Sequence, residues 1–182
     1  MQGGSKQCKH THIIVHHTGA EEKNAEQVKQ YHLSLGWGDI GYNYVIERSG
    51  QVVEGRPLDL PGAHCRAGGM NHCSIGVSVI GNLEKHPLPQ VQHEALWGLL
   101  QELAGRHRIP VENILGHREV PGAATACPGK FMDMNCCGAS NKQQEQRIMP
   151  GSYIRRELML LLSKSKDFTG YILMAYSFRF GY

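Results

Sequence analysis

The sequence predicts a single α/β domain in which a central mixed β-sheet is flanked by helices. Short β-rich runs alternate with helical segments along the chain, the order typical of layered α/β proteins. The 182 residues are the usual size of one domain. Hydrophobic residues make up 41% and charged residues 19%, which excludes a chain that is disordered throughout.

The N-terminal half predicts four strands and one helix. Strands are indicated at residues 12–16, 42–47, 51–54 and 74–80, with the second and third joined as a hairpin through a Ser-Gly turn. The fourth run is almost continuously apolar, which favours a central position in the sheet. A helix is predicted over residues 24–35, with an Asn at its N-cap and a Gly beyond its end.

The C-terminal half predicts a long helix over residues 89–107, because its apolar residues recur at i, i+3 and i+4. A short strand follows at residues 114–115, and a further helix begins near Pro150. A polar stretch over residues 133–146 separates them, and we expect a loop insertion at residues 139–149.

Net charge and hydropathy limit the classes of partner that this chain is expected to bind. The net charge of +3 is too small to argue for nucleic acid, and no apolar run approaches the ~20 residues of a membrane span. The polar N-terminal residues do not resemble a secretory signal, so we expect synthesis in the cytoplasm. Most of the six cysteines are then expected to be reduced.

Two short stretches concentrate residues that can bind metal: IIVHHTG (residues 13–19) and LGHREVPGAATACPG (residues 115–129). Two histidines and a cysteine are typical zinc ligands, and three protein ligands leave a fourth position open. Adjacent strand residues point to opposite faces, so only one of His16 and His17 should reach a metal shared with His117 and Cys127. Thr125 would lie on the same side as Cys127. Single histidines are more often structural, so spacing alone leaves zinc a hypothesis.

Four segments in order carry a family resemblance. They are the two stretches above with DIGYNYVIERSGQVVEGR (residues 39–56) and PGAHCRAGGMNHCSIGVSVIGN (residues 61–82) between them. Together they resemble the successive motifs of the zinc-dependent N-acetylmuramoyl-L-alanine amidases, a family that includes phage endolysins and peptidoglycan recognition proteins. The resemblance runs from about residue 12 to residue 131.

The resemblance implies roles for individual residues. His16, His117 and Cys127 match the family's zinc ligands and would hold one zinc ion per chain in an open groove. Tyr42 matches the family's catalytic tyrosine, and Thr125 falls where the family places a Lys or Thr beside the metal-bound water.

Further positions are implied at the substrate groove, where Arg56, His64 and Asn71 match residues that bind substrate. Ser78 stands where one branch of the family carries a glutamate as general base, which puts a glutamate-based mechanism in doubt. Cys127 is retained here, whereas family members that have lost this ligand tend to bind rather than cut.

The implied function is hydrolysis of the amide between N-acetylmuramic acid and L-alanine in peptidoglycan, with lysis of the cell wall. A phage or prophage enzyme is expected, active as a monomer on the wall after release or lysis. The alternatives are a non-catalytic peptidoglycan-binding module and a structural metal protein with an intracellular partner.

Some features stay outside the resemblance. Cys65 and Cys73 bracket a loop and could pair outside the cell, and Cys136 and Cys137 could form a second metal site. We expect residues 1–166 to form the catalytic domain. Residues 167–182 are an aromatic tail that alternates like one face of a strand and is expected to be peripheral to catalysis.

Overall fold

Five strands form one mixed sheet in the computed structural model, which describes residues 10–134. The strands are β1 (His12–His17), β2 (Tyr44–Ile46), β3 (Val52–Glu54), β4 (Ser74–Val79) and β5 (Ile114–Gly116). Their order across the sheet is β3-β2-β4-β1-β5. Strand β3 pairs antiparallel with β2, and the other pairings are parallel. The predicted α/β class with a central mixed sheet is therefore confirmed.

Strands β1 and β4 form the centre of the sheet, as their apolar runs predict. All six residues of β4 are buried, and Ile13, Ile14 and Val15 of β1 have no exposed surface. In the register between these strands, His16 stands opposite Ser78. The parallel arrangement brings the C-terminal ends of β1, β4 and β5 to the same edge, where ligands commonly bind in α/β sheets.

Two α-helices pack on the sheet, α1 (Ala25–Ser34) and α2 (Gln90–His107). The Asn24 side chain accepts a hydrogen bond of 3.0 Å from the Gln27 amide and caps α1, as predicted. Helix α2 buries Leu96, Leu99, Leu100 and Leu103 in the same cluster as the sheet's apolar side chains. Three short 3₁₀ turns complete the described fold: Ala67–His72, Val111–Asn113 and His117–Glu119.

Strand β2 is shorter than the predicted range of residues 42–47. Asn43 is the physical reason: its amide still donates to the Gly76 carbonyl at 2.9 Å, but its side chain takes the place of a main-chain carbonyl as acceptor for the Gly76 amide. Its Oδ1 accepts a hydrogen bond of 2.8 Å from the Gly76 amide, and its Nδ2 donates one of 2.9 Å to the Arg56 carbonyl. The regular strand therefore begins at Tyr44, and Tyr42 precedes it on irregular backbone.

Several expectations concern residues beyond the described part of the chain. They are the loop insertion at 139–149, the helix from Pro150, the Cys136 and Cys137 pair, and the aromatic tail at 167–182 that would follow a catalytic domain of 1–166. Within residues 10–134, no helix is both long enough and apolar enough to span a bilayer.

Candidate metal centre

His16 lies at the C-terminal end of the central strand β1 and is only 1% exposed. The next residue, His17, points to the other face by the alternation of a strand. There its Nδ1 accepts a hydrogen bond of 2.9 Å from the Leu83 amide. The strand therefore presents one of the two adjacent imidazoles to the centre.

His117 and Cys127 come from the segment that follows β5. His117 opens the 3₁₀ turn after the strand, and the Arg118 amide donates a hydrogen bond of 2.7 Å to the Cys127 carbonyl. The Arg118 guanidinium also donates to the Gly129 and Met132 carbonyls at 2.6 and 2.8 Å. Arg118 thus binds the irregular loop that carries the thiol at three carbonyls.

The donor atoms of His16, His117 and Cys127 all lie within 4.8 Å of one another. The Cys127 Sγ is 3.5 Å from Nδ1 of His16, and the two imidazole centroids are 4.6 Å apart. In a tetrahedral zinc site the bonds are ~2.3 Å to sulfur and ~2.0–2.1 Å to nitrogen, so a sulfur and a nitrogen ligand lie about 3.5 Å apart, as Sγ of Cys127 and Nδ1 of His16 do here. The residues present therefore fit a zinc ion.

At neutral pH, a metal that binds these three side chains has to displace a single proton, that of the thiol. Burial lowers the pKa of His16 well below its usual range, and the nearby His64 and His117 lower it further. Burial also lowers the pKa of His117, so both imidazoles are neutral at pH 7. Burial raises the pKa of the Cys127 thiol to about 11, so a cation must displace its proton to bind.

Tyr42 lies beside the centre, with its ring centroid 5.2 Å from that of His16. Burial, followed by the neighbouring Cys127, raises the pKa of Tyr42 far above its usual value. The phenol therefore keeps its proton and can donate a hydrogen bond at neutral pH. The other residue singled out for catalysis, Thr125, accepts a hydrogen bond of 3.1 Å from the Cys127 amide through its Oγ1.

An open cavity of about 460 Å³ adjoins the centre, with His117 and Thr125 among its lining residues. Trp37 and Arg66 also line it and were not singled out from the sequence. Trp37 is 40% exposed, and His32 stacks on its ring with centroids 4.5 Å apart. A Gly-Trp-Gly segment before an otherwise polar loop was the available signal for an exposed aromatic.

The three residues expected to bind substrate are placed differently. His64 lines the cavity, whereas Arg56 and Asn71 are not among its lining residues. The Arg56 guanidinium donates to the backbone carbonyls of Ile40, Trp37, Pro61 and Asp39. Asn71 Oδ1 accepts hydrogen bonds from the His64 and Cys65 amides. Both side chains thus hold the backbone around the cavity.

The structure also locates Ser78, Cys65 and Cys73, which the sequence analysis discussed. Ser78 is fully buried in the middle strand, opposite His16. Cys65 and Cys73 are free thiols, and Cys65 is buried.

The fold and the donor set together define a class: an α/β domain with two histidines and one cysteine that could hold a single metal ion. The family model described as N-acetylmuramoyl-L-alanine amidase matches residues 6–130. The chain belongs to this family.

Individual relatives include both enzymes and recognition proteins. The chain is 38% identical over 129 residues to peptidoglycan-recognition protein SC2 of Drosophila melanogaster, which covers 65% of this chain and 68% of that protein. It is 35% identical over 121 residues to the endolysin of Enterobacteria phage K11, covering 62% and 76%.

Solved structures show the same fold. N-acetylmuramoyl-L-alanine amidase LysC from Clostridium intestinale aligns with a TM-score of 0.66 at 26% identity, covering 72% of this chain and 84% of that chain. Bumblebee PGRP-SA aligns with a TM-score of 0.61 at 30% identity, covering 70% and 80%.

Proposed function

We propose that this protein is a zinc-dependent amidase that hydrolyses the bond between N-acetylmuramic acid and L-alanine in peptidoglycan, leading to lysis of the wall. The observation that carries the proposal is the convergence of His16, His117 and Cys127 beside an open cavity, with a spacing that suits tetrahedral zinc. Tyr42, a protonated donor, adjoins the same imidazole.

His16, His117 and Cys127 would hold one zinc, which supplies Lewis acidity and a water of lowered pKa. Tyr42 keeps its proton at neutral pH and donates a hydrogen bond to the oxygen that becomes negative as the amide carbonyl is attacked. Thr125 lines the cavity near the thiolate and orients the attacking water. Neither role requires a carboxylate at position 78.

The cavity has the chemistry expected for a muramyl peptide. The face of Trp37 not covered by His32 offers an apolar surface on which a sugar ring or an alanine methyl can pack. Arg66 supplies a positive charge for the carboxylates of the peptide stem. Arg56 and Asn71 support this wall through the backbone, and His64 forms part of it.

A non-catalytic peptidoglycan-binding module is the second candidate, because recognition proteins are among the relatives. The retained thiol of Cys127 and the position of Tyr42 favour the enzyme, since binding alone requires neither. The two functions differ in whether covalent bonds of the wall are cut.

Release of dye from labelled cell walls tests the proposal. The protein should release dye, a chelator should stop the release, and added zinc should restore it. The Cys127→Ser variant should adsorb to the walls without releasing dye. Wall binding by the wild type without release at any zinc concentration would establish the binding module instead.

A further inference from the structure

The second nitrogen of the His16 ring faces another buried histidine. Nδ1 of His16 points towards the Cys127 sulfur at 3.5 Å, and its Nε2 lies 3.1 Å from Nδ1 of His64. The two side chains are 1% and 8% exposed, so water does not replace this contact. His64 thus contacts the candidate zinc ligand from behind.

The hydrogen-bond chemistry of two neutral imidazoles fixes the direction of this contact. A His16 that offers the lone pair of Nδ1 to a metal carries its proton on Nε2. That proton must be donated to Nδ1 of His64, which therefore acts as acceptor. A neutral imidazole has one acceptor nitrogen, and Nδ1 of His64 is the nitrogen that faces His16.

The proton of His64 is then on its own Nε2. This atom is buried and has no hydrogen-bond partner among the described residues, so Nδ1 carries the hydrogen bond that this ring makes. His64 and His16 thus form a series leading to the metal position. Metal-binding histidines are commonly oriented by such a partner on the second nitrogen.

Two glycines make room for the His64 ring. A Cβ added at Gly62 or at Gly76 would lie 2.5 Å from Cδ2 of His64, a distance that no side chain tolerates. Asn71 fixes the backbone of the same segment, because its Oδ1 accepts from the His64 and Cys65 amides at 2.9 and 2.8 Å. The local sequence therefore holds this imidazole in one position.

We propose that His64 is a positioning residue, which fixes the tautomer and the orientation of His16 so that Nδ1 faces the metal. The inference rests on the proposed zinc function and deepens it. It differs from the substrate contact implied by the family resemblance, because the nitrogen nearest the centre is already engaged by His16.

Two substitutions separate positioning from packing. In His64→Asn, the amide oxygen can occupy the place of Nδ1 and still accept from His16, whereas His64→Leu fills space without an acceptor. Zinc affinity should be measured by competition with a chromophoric chelator. We expect His64→Leu to bind zinc ~10–100-fold more weakly, the usual effect of losing such a partner, and His64→Asn to recover most of the loss.

The visible spectrum of the cobalt-substituted protein gives a second readout that does not depend on activity. The ligand-field bands of His64→Leu should shift in position or intensity, and those of His64→Asn should resemble the wild type. His93→Leu is the control for loss of an imidazole. His93 lies on α2, where it accepts a hydrogen bond from the Trp97 indole, and it is not one of the residues of the candidate centre. Thermal unfolding of the zinc-free variants identifies any that fail to fold.

The outcomes distinguish the two levels of the proposal. A wild type that binds no zinc would overturn the zinc function and this inference together. A wild type that binds zinc, with a folded His64→Leu of equal affinity and unchanged cobalt spectrum, would overturn the inference alone. Equal losses in His64→Leu and His64→Asn would assign His64 to packing and also overturn it.

Discussion

The candidate centre draws its ligands from two regions of opposite character. His16 belongs to the central strand of the sheet, with hydrogen-bonded neighbours on both sides. Cys127 belongs to an irregular loop, in which the side chain and amide of Arg118 bond three backbone carbonyls. A strand places a ligand through regular pairing, whereas a loop needs a specific side chain. The two ligands should therefore respond differently to changes around them.

The largest effect is expected from removing a ligand in either region. His16→Ala and Cys127→Ser should each abolish stoichiometric zinc binding and hydrolysis, because a site with three protein ligands loses affinity and geometry together. Zinc content by elemental analysis and dye release from walls measure both. His17→Ala is the matched control and should be much milder. Loss of zinc in His17→Ala with retention in His16→Ala would reverse the assignment of strand faces.

Tyr42→Phe should have the next largest effect, and on rate alone. The substitution removes one hydroxyl, so turnover should fall ~10²–10³-fold, as for loss of one transition-state hydrogen bond. Zinc content and thermal stability should stay at wild-type values. Full activity in this variant would exclude Tyr42 from the mechanism.

Binding of zinc should strengthen as pH rises, because the loop ligand must lose a proton. Because the pKa of the Cys127 thiol is about 11, each unit by which the pH rises towards that value should raise the apparent zinc affinity about tenfold. The pKa of His16 is lowered well below 6.5, so the strand ligand adds nothing near pH 7. Competition titrations between about pH 6.5 and 8 measure the slope. A flat profile would remove the thiol from the ligand set.

Arg118→Lys should give a smaller effect that is confined to the loop. Lysine keeps the charge but loses the fork that reaches the Gly129 and Met132 carbonyls, so zinc affinity should fall by about tenfold. Arg56→Lys is a matched control, because Arg56 also binds backbone carbonyls but outside the segment that carries the ligands. Equal losses in both variants would show that the effect is not specific to the loop.

The contrast between regular strands and irregular loops also explains how much of the structure could be predicted from the sequence. The period of apolar residues predicted β1, β4 and α2 with bounds within a residue or two of those observed. Strand alternation also predicted that only one of His16 and His17 reaches the centre, and the family resemblance implied that it is His16. The start of β2 was predicted two residues too early, because the side chain of Asn43 takes the place of a main-chain acceptor for the Gly76 amide and leaves no periodic signal.

Long-range placement was beyond local patterns. The meeting of His16 with Cys127, far apart in the chain, was implied by family resemblance rather than by spacing. The contact between His16 and His64 was not anticipated, since it depends on space left by Gly62 and Gly76 in different segments. The backbone contacts of Arg56 likewise depend on loops that carry no sequence period.

Mass spectrometry of peptidoglycan fragments, produced while zinc is added back to the stripped protein, tests the central claim most directly. The account predicts intact muramic acid and free L-alanine amino groups, which increase up to one equivalent of zinc per chain and are absent with Cys127→Ser. Cleavage at a glycosidic bond or at another peptide bond would contradict it. Formation of the predicted fragments by the zinc-free protein would contradict it as well.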